Sequence, residues 1–408
     1  MLLSFKGWIK NQKENKGLNS RIKVKSIIKK ILLFKYGEDF SFLDKKYNNN
    51  LFKKITKHKK RFLKKKCLLI IGTGGSSLGS KALLEIAGIE DVYYLENIDP
   101  VYINKILRKI KKTSIGVIVI SKSGETIETL SIFSILIKKY NKIINFEKDC
   151  VIITEKKDST LLSIANKYRI NHIEHEKNIG GRYSCFSTAG LFPLAVKGLN
   201  EKNIKFLANK IYDETLKTNK FKTINSTSGL LEALQNSKYK GHVVCAYHES
   251  MYNLVLWYRQ LWAESLGKKN NGLHFIHASG AVDQHSQLQM WLDGPNDLIF
   301  TIIIPKKRKT DFIIKDEQSN LPKYLKDKNM GDILNIMAKA TAEELRKAGR
   351  PVRIIYLEND NINSAVELMA TLMLEVPILC KAINVNPFDQ PAVEKVKLRT
   401  KKLLNKYV

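Results

Sequence analysis

Cysteine is scarce in this 408-residue chain, and its pattern excludes two fold classes. The five cysteines stand at 67, 150, 185, 245 and 380, an odd number with no C-x-x-C pair. Neither a disulfide framework nor a thiolate zinc cluster is indicated, and a reducing compartment is expected. Long apolar runs are also missing. No window of about 18 uninterrupted apolar residues occurs, so no transmembrane helix is predicted. The start, MLLSFKGWIKNQKENKG, has only a short apolar stretch and no small-residue cleavage site, unlike a secretory signal. Together these point to the cytoplasm and away from the membrane. Nine prolines and 22 glycines are too few for a collagen-like or Pro-rich fibre. Acidic residues are outnumbered, 39 against 70 Lys and Arg, for a net charge of +31. That balance favours anionic partners, phosphorylated small molecules among them. The lysines are spread from Lys6 to Lys406 rather than confined to one stretch, a chain-wide drift that weighs against a nucleic-acid footprint.

What is present is a globular composition, 44% hydrophobic and 9% aromatic, with length enough for two or three domains. Residues 1–45 read as a Lys- and Asn-rich helical extension, with a helical fragment over 22–34. Residues 53–66 (KKITKHKKRFLKKK) read as a basic helix, either a DNA- or RNA-binding arm or a solvated face, and the solvated face is favoured because no aromatic stacking platform accompanies the charge. An alternation of strands and helices follows. Short apolar runs at 67–71, 92–96, 115–120 and 151–154 predict buried parallel strands. Helices are predicted near 80–87, 101–111, 125–140 and 160–168, with two more over 186–199 and 201–216. A second unit repeats the rhythm. Its strands are read at 242–247, 298–304 and 352–357, and its helices at 251–266, 331–348 and 364–383. A basic helix over 390–407 ends the chain. The fold class is therefore α/β, with two parallel-sheet layers packed directly on each other. The divisions are 1–45, 46–215, 216–385 and 386–408.

Three glycine-rich or hydroxyl-rich turns carry the chemistry. Gly72-Thr73-Gly74-Gly75-Ser76-Ser77-Leu78-Gly79 joins a strand to a helix, where free N–H groups and the hydroxyls of Ser76 and Ser77 make an anion site. It is neither a G-x-G-x-x-G fingerprint nor a P-loop, and a tight turn with capping serines fits it equally. Ser121-Lys122-Ser123-Gly124-Glu125-Thr126 repeats the theme after the next buried strand, with hydroxyls at 121, 123 and 126. Ordinary N-capping explains one such turn; two at the carboxyl ends of parallel strands point to one bound phosphoester. Asn178-Ile179-Gly180-Gly181-Arg182 places a fixed cation where backbone can approach a ligand. Arg182 suits either a developing oxyanion or a surface salt bridge.

Gln260 and Glu264 stand four apart on one helix face. The negative end of the helix dipole and neighbours such as Leu261 are expected to raise the proton affinity of Glu264, as suits a general base. His285 lies in a polar cluster after Asp283 and could move a proton near neutral pH. The pairs His172/His175 and His274/His277 have i, i+3 spacing without a third ligand, so no metal is assigned.

These residues fall in segments that closely resemble the glucose-6-phosphate isomerase (phosphoglucose isomerase) family. The segments are IGTGGSSLG, SKSGETIET, IGGRYS, QLWAESLGK through GAVDQHSQLQMWLDGPND, and NPFDQPAVEKVK. The resemblance implies two sugar-isomerase (SIS-type) three-layer domains with helical extensions at both ends. It implies reversible interconversion of glucose 6-phosphate and fructose 6-phosphate through a cis-enediol(ate), without cofactor or metal. It matches Glu264 to the base that moves a proton between C1 and C2, and Arg182 to the group that stabilises the intermediate. Gly75, Ser76, Ser121, Lys122, Ser123 and Thr126 match the phosphate site. Gly181, Glu128 and Gln260 match further substrate contacts. His285 and Lys397 match residues that assist ring opening. His285 is implied to reach the neighbouring subunit, and hence a homodimer. Glu125 departs from the small hydroxyl residue common there. A carboxylate at that edge would repel phosphate unless it points away or pairs with a lysine. The rival readings are a broader sugar-phosphate isomerase that also takes mannose 6-phosphate, and a non-enzymatic sugar-phosphate sensor or nucleic-acid binder.

Overall fold

The structure is a computed structural model that describes residues 3–6, 14–33, 38–45, 48–110, 114–217, 222–315 and 320–407. In chain order the elements begin with β1 (Leu3–Lys6), α1 (Glu14–Leu33) and α2 (Asn48–Lys59). The first α/β unit comprises β2 (Cys67–Ile71), α3 (Leu78–Ile86), β3 (Val92–Leu95), α4 (Pro100–Ile110), β4 (Ile115–Ile120), α5 (Ile127–Tyr140), α6 (Phe146–Asp149), β5 (Cys150–Thr154), α7 (Thr160–Lys167) and β6 (Asn171–Glu174). Helices α8 (Thr188–Val196), α9 (Glu201–Lys217) and α10 (Lys222–Gln235) follow. The second unit comprises β7 (Gly241–Ala246), α11 (Tyr252–Leu266), β8 (His274–Ser279), α12 (Leu288–Asp293), β9 (Leu298–Lys307), α13 (Met330–Lys347), β10 (Val352–Asn359) and α14 (Ile362–Ala382), before the terminal α15 (Pro391–Leu404).

The first sheet has the order β3-β2-β4-β5-β6 and is parallel throughout. The second has the order β1-β10-β9-β7-β8, parallel except for β1 at its edge. β2 and β4 are buried at every position, which is why their apolar runs do not alternate. The two faces of each strand serve different cores. Leu68 and Ile70 join the central cluster between the sheets, whereas Leu69 and Ile71 join the outer one. The central cluster is continuous across both sheets and is filled by α8, α11 and α14. Every residue of α14 from Ser364 to Cys380 is buried. The two units thus share one core rather than sitting apart as separate beads.

Several elements differ from the sequence reading. The N-terminal stretch is not wholly helical, because Leu3–Lys6 pairs antiparallel with residues 354–357 of β10. The helix expected over 22–34 begins earlier, at Glu14, and its last residue, Phe34, lies outside the described residues. The basic helix stops at Lys59. Phe62 beyond it is drawn into the core under Gly116, and Arg61 donates to the carbonyls of Glu147 and Cys150. β6 and β8 were not anticipated. His274 and His277 both lie on β8, where i and i+3 point to opposite faces, whereas His172 lies on β6 and His175 just past its end. Among the described residues no group of three or more His, Cys, Asp or Glu side chains could hold a metal ion.

Candidate active site

The chain runs from β2 outward to β3 and then crosses back over β2 to β4, so the strand order reverses between β2 and β4. Open α/β sheets bind ligands in the crevice at such a point, beyond the carboxyl ends of the strands. Both hydroxyl-bearing turns leave the sheet there, because Ile71 pairs with Val119 in the parallel register.

The first turn contains a short 3-10 segment, Gly74–Ser76, packed on a second one, Gly181–Phe186. A Cβ on Gly75 would sit 2.2 Å from the carbonyl carbon of Gly181, so only glycine allows this approach. The Ser184 hydroxyl donates to the Gly75 carbonyl at 3.0 Å and locks the two segments together. Ser76 stays half-exposed at the crevice. Ser77, expected as a second donor to ligand, is turned inward. It is fully buried and donates to the Gly74 carbonyl and to Glu96.

In the second turn the hydroxyls of Ser121 and Thr126 are 2.9 Å apart, and Ser121 Oγ accepts from the Gly124 amide at 3.2 Å. Thr126 occupies the N-cap of α5, yet its side chain makes no capping bond, so ordinary N-capping does not account for it. Ser123 is exposed, and Glu128 lies half-buried in the first turn of α5. Lys122 is half-buried 3.5 Å from Glu155, and burial lowers its proton affinity. Its carbonyl accepts from the Thr154 hydroxyl and the Glu155 amide. The Glu125 carboxylate points away from the turn, to the backbone amide and hydroxyl of Thr160 at 2.5 and 3.0 Å.

Glu264 and Gln260 project from the last turns of α11 toward these loops. The Gln260 amide lies against Gly74 and donates through Nε2 to Glu264 Oε1 at 2.9 Å. That bond fixes the amide's orientation and leaves Gln260 Oε1 buried without a donor. The other carboxylate oxygen, Oε2, accepts from Arg182 Nη1 at 3.0 Å. The apolar setting expected from Leu261 is absent, since Leu261 points into the core and the carboxylate stays 30% exposed. Arg182, at 2% exposure, is no surface cation. Its Nε donates to Ser265 Oγ at 2.9 Å, Nη1 also donates to Gln390 Oε1 at 2.9 Å, and Nη2 donates to the carbonyls of Pro387 and Asp389.

The structure therefore brings together Gly75, Gly181, Arg182, Gln260 and Glu264, beside the turns that carry Ser76, Ser121, Lys122, Ser123, Thr126 and Glu128. It does not bring His285 or Lys397 to them within this chain. His285 ends the turn Val282–His285 and is exposed. Lys397 lies exposed on α15, roughly 9 Å along the helix from Pro391, and pairs with Glu394 at 2.8 Å. Two further groups, neither singled out by sequence, hold the site. Gln390 stands within the NPFDQP motif, where a polar residue just before a helix-starting proline was the available signal. Ser265, next to Glu264, had no signal of its own.

A crevice at a switch point, two hydroxyl-bearing turns and a carboxylate paired to a buried arginine fit an α/β enzyme that takes an anionic small molecule. Comparison with known proteins narrows the class. The sequence profile of the family described as phosphoglucose isomerase matches residues 56–297. A protein named "Probable glucose-6-phosphate isomerase" from Methanococcus maripaludis is 34% identical over 370 residues, covering 87% of this chain and 82% of that one. A hypothetical protein from Thermus thermophilus superposes with a TM-score of 0.86 at 27% identity, covering 96% of both chains. A glucose-6-phosphate isomerase from Chlamydia trachomatis superposes with a TM-score of 0.86 at 17% identity, covering 99% of this chain and 89% of that one. The chain belongs to the phosphoglucose isomerase family.

Proposed function

We propose that this protein reversibly converts glucose 6-phosphate and fructose 6-phosphate, with Glu264 carrying a proton between C1 and C2. The observation that carries this reading is the Glu264 carboxylate, held between Arg182 and Gln260 at the mouth of the phosphate turns, with Gln260 Oε1 lacking a donor. A sugar hydroxyl would supply that donor. Ser76, Ser121, Ser123 and Thr126, with the Gly75 and Lys122 backbone, grip the phosphoester at one end. That grip sets the reacting carbons over Glu264 at the other. Glu264 takes the proton from C2 of the open-chain aldose and returns it to C1. Arg182 holds the negative charge that develops on oxygen, its guanidinium already oriented by Ser265 and the Pro387 and Asp389 carbonyls. Gly181 and Glu128 line the sugar. His285 and Lys397 assist ring opening.

For His285 to do so, the active unit must be a homodimer in which it enters the partner's site. The surface around it supports this. Val282 and Met290 are 66% and 62% exposed. Gln284 ties the same loop to Met337 and Thr341 of α13, which also exposes Met330 and Ile336. Exposed apolar side chains around this loop suit a protein interface. Five free cysteines, all buried, accord with a reducing cytoplasm, where we place the enzyme. Among the described residues no helix is long and apolar enough to cross a membrane.

A coupled assay on glucose 6-phosphate, fructose 6-phosphate and mannose 6-phosphate tests the reaction. Turnover of the first pair is expected, and turnover of neither contradicts it. Complementation tests the shared site. Glu264→Gln and His285→Ala, each inactive alone, should recover up to about a quarter of wild-type activity when refolded together, because half the dimers then hold one intact site. Recovery of none contradicts sharing.

A further inference from the structure

Glu125 is a carboxylate in the turn that is meant to bind a phosphate, and its contacts run to a different element. Oε1 accepts from the Thr160 backbone amide at 2.5 Å and Oε2 from the Thr160 hydroxyl at 3.0 Å. The Leu161 amide donates to the Gly124 carbonyl at 3.1 Å. Two of the first backbone donors of α7, which no helix can satisfy internally, are thus met by residues of the 121–126 turn. The contact is close. Gly124 adopts φ +71°, and a Cβ on it would sit 2.3 Å from Ser159 Oγ. The Glu125 backbone is fixed as well, its amide donating to Ser123 Oγ at 3.2 Å.

The electrostatics have a definite sense. A carboxylate at a helix N-terminus meets the positive end of the helix dipole, so the charge of Glu125 is compensated inside the fold. Without that engagement the same charge would face a dianion across a few ångströms. The turn's remaining internal closure, Ser121 with Gly124 and Thr126, consists of neutral hydrogen bonds.

We propose that Glu125 is a positioning residue for phosphate binding: by capping α7 from the turn, it holds the hydroxyls and amides of residues 121–126 in the geometry that grips the phosphoester. The proposal rests on the reading of this turn as the phosphate site. Three variants separate stapling from simple charge. Glu125→Ala loses both. Glu125→Gln keeps an acceptor for the Thr160 amide and loses the charge. Glu125→Lys reverses the charge and loses the staple.

KM for fructose 6-phosphate and the inhibition constant of inorganic phosphate are measured for each, with kcat. Stapling predicts both constants about tenfold higher in Glu125→Ala and in Glu125→Lys, kcat within about twofold, and Glu125→Gln within about threefold of wild type. Should Glu125→Ala fold poorly, Thr160→Val removes one of the two contacts and should raise KM about twofold to threefold. If Glu125→Ala, Glu125→Gln and Glu125→Lys all bind as tightly as wild type or tighter, the carboxylate acts only by repulsion and the proposal fails. If inorganic phosphate does not compete with substrate in the wild type, the phosphate reading itself fails.

Discussion

A methyl group at position 75 has nowhere to go, since the carbonyl carbon of Gly181 is 2.2 Å from where it would sit. Gly75→Ala must push the first hydroxyl-bearing turn off the segment that carries Arg182. Because a displacement of about 1 Å costs roughly a hundredfold in a positioned site, kcat/KM should fall by about that factor while the fold persists. Unchanged kinetics in the same coupled assay would refute the close approach. Arg182 is equally constrained, with donors committed to five different acceptors. At this scale the sequence was readable where residue type and local context sufficed. Glu264 and Arg182 stood out as charges in apolar or Gly-rich surroundings, and Glu125 as a carboxylate among hydroxyls. Gln390 did not, because its relation to Arg182 spans 208 positions and exists only in the folded chain.

Helix α14 is tied to the second sheet by a fully buried ion pair, Arg353 to Glu375 at 2.9 Å, each 1% exposed. Glu375 also accepts from Tyr258 of α11, the helix that presents Glu264. Glu375→Gln leaves the arginine buried without its counter-charge and should cost about 3–5 kcal/mol in urea unfolding. A loss under about 1 kcal/mol would show that the pair does not anchor these helices. The elements that sequence made legible are those whose pattern is local. β2, β4 and β9 are apolar runs buried on both faces, and α11 and α14 are long apolar helices. β1, β6 and β8 escaped notice for the opposite reason. β1 exists through pairing with residues 354–357, at the far end of the chain, while β6 and β8 are edge strands with mixed exposure and no clean apolar run. Helix α15 was legible as a basic helix, but not that all its residues would be exposed in the single chain.

For the molecule as a whole, the +31 charge should draw a dianionic substrate inward. KM should accordingly rise severalfold between about 0.05 and 0.5 M salt, and a salt-independent KM would show that the charge takes no part. Burial also governs acid stability. Desolvation lowers the proton affinity of His58, to about 4, and of His175, His242, His248 and His277. The unfolded chain therefore takes up protons first as pH drops. Stability is full above about pH 6.5 and declines toward about pH 4, so the urea midpoint should be lower at about pH 5 than at about pH 7.5. An equal or higher midpoint at the acid pH would contradict it.

The proposed role of Glu264 is to carry a proton between C1 and C2, and hydrogen exchange at carbon follows that proton directly. With glucose 6-phosphate deuterated at C2, the wild-type enzyme should release deuterium to water and pass part of it to C1. Glu264→Gln, folded and still binding inorganic phosphate, should do so at least about a thousandfold more slowly. Exchange at the wild-type rate in Glu264→Gln would assign the proton to another group and overturn the mechanism.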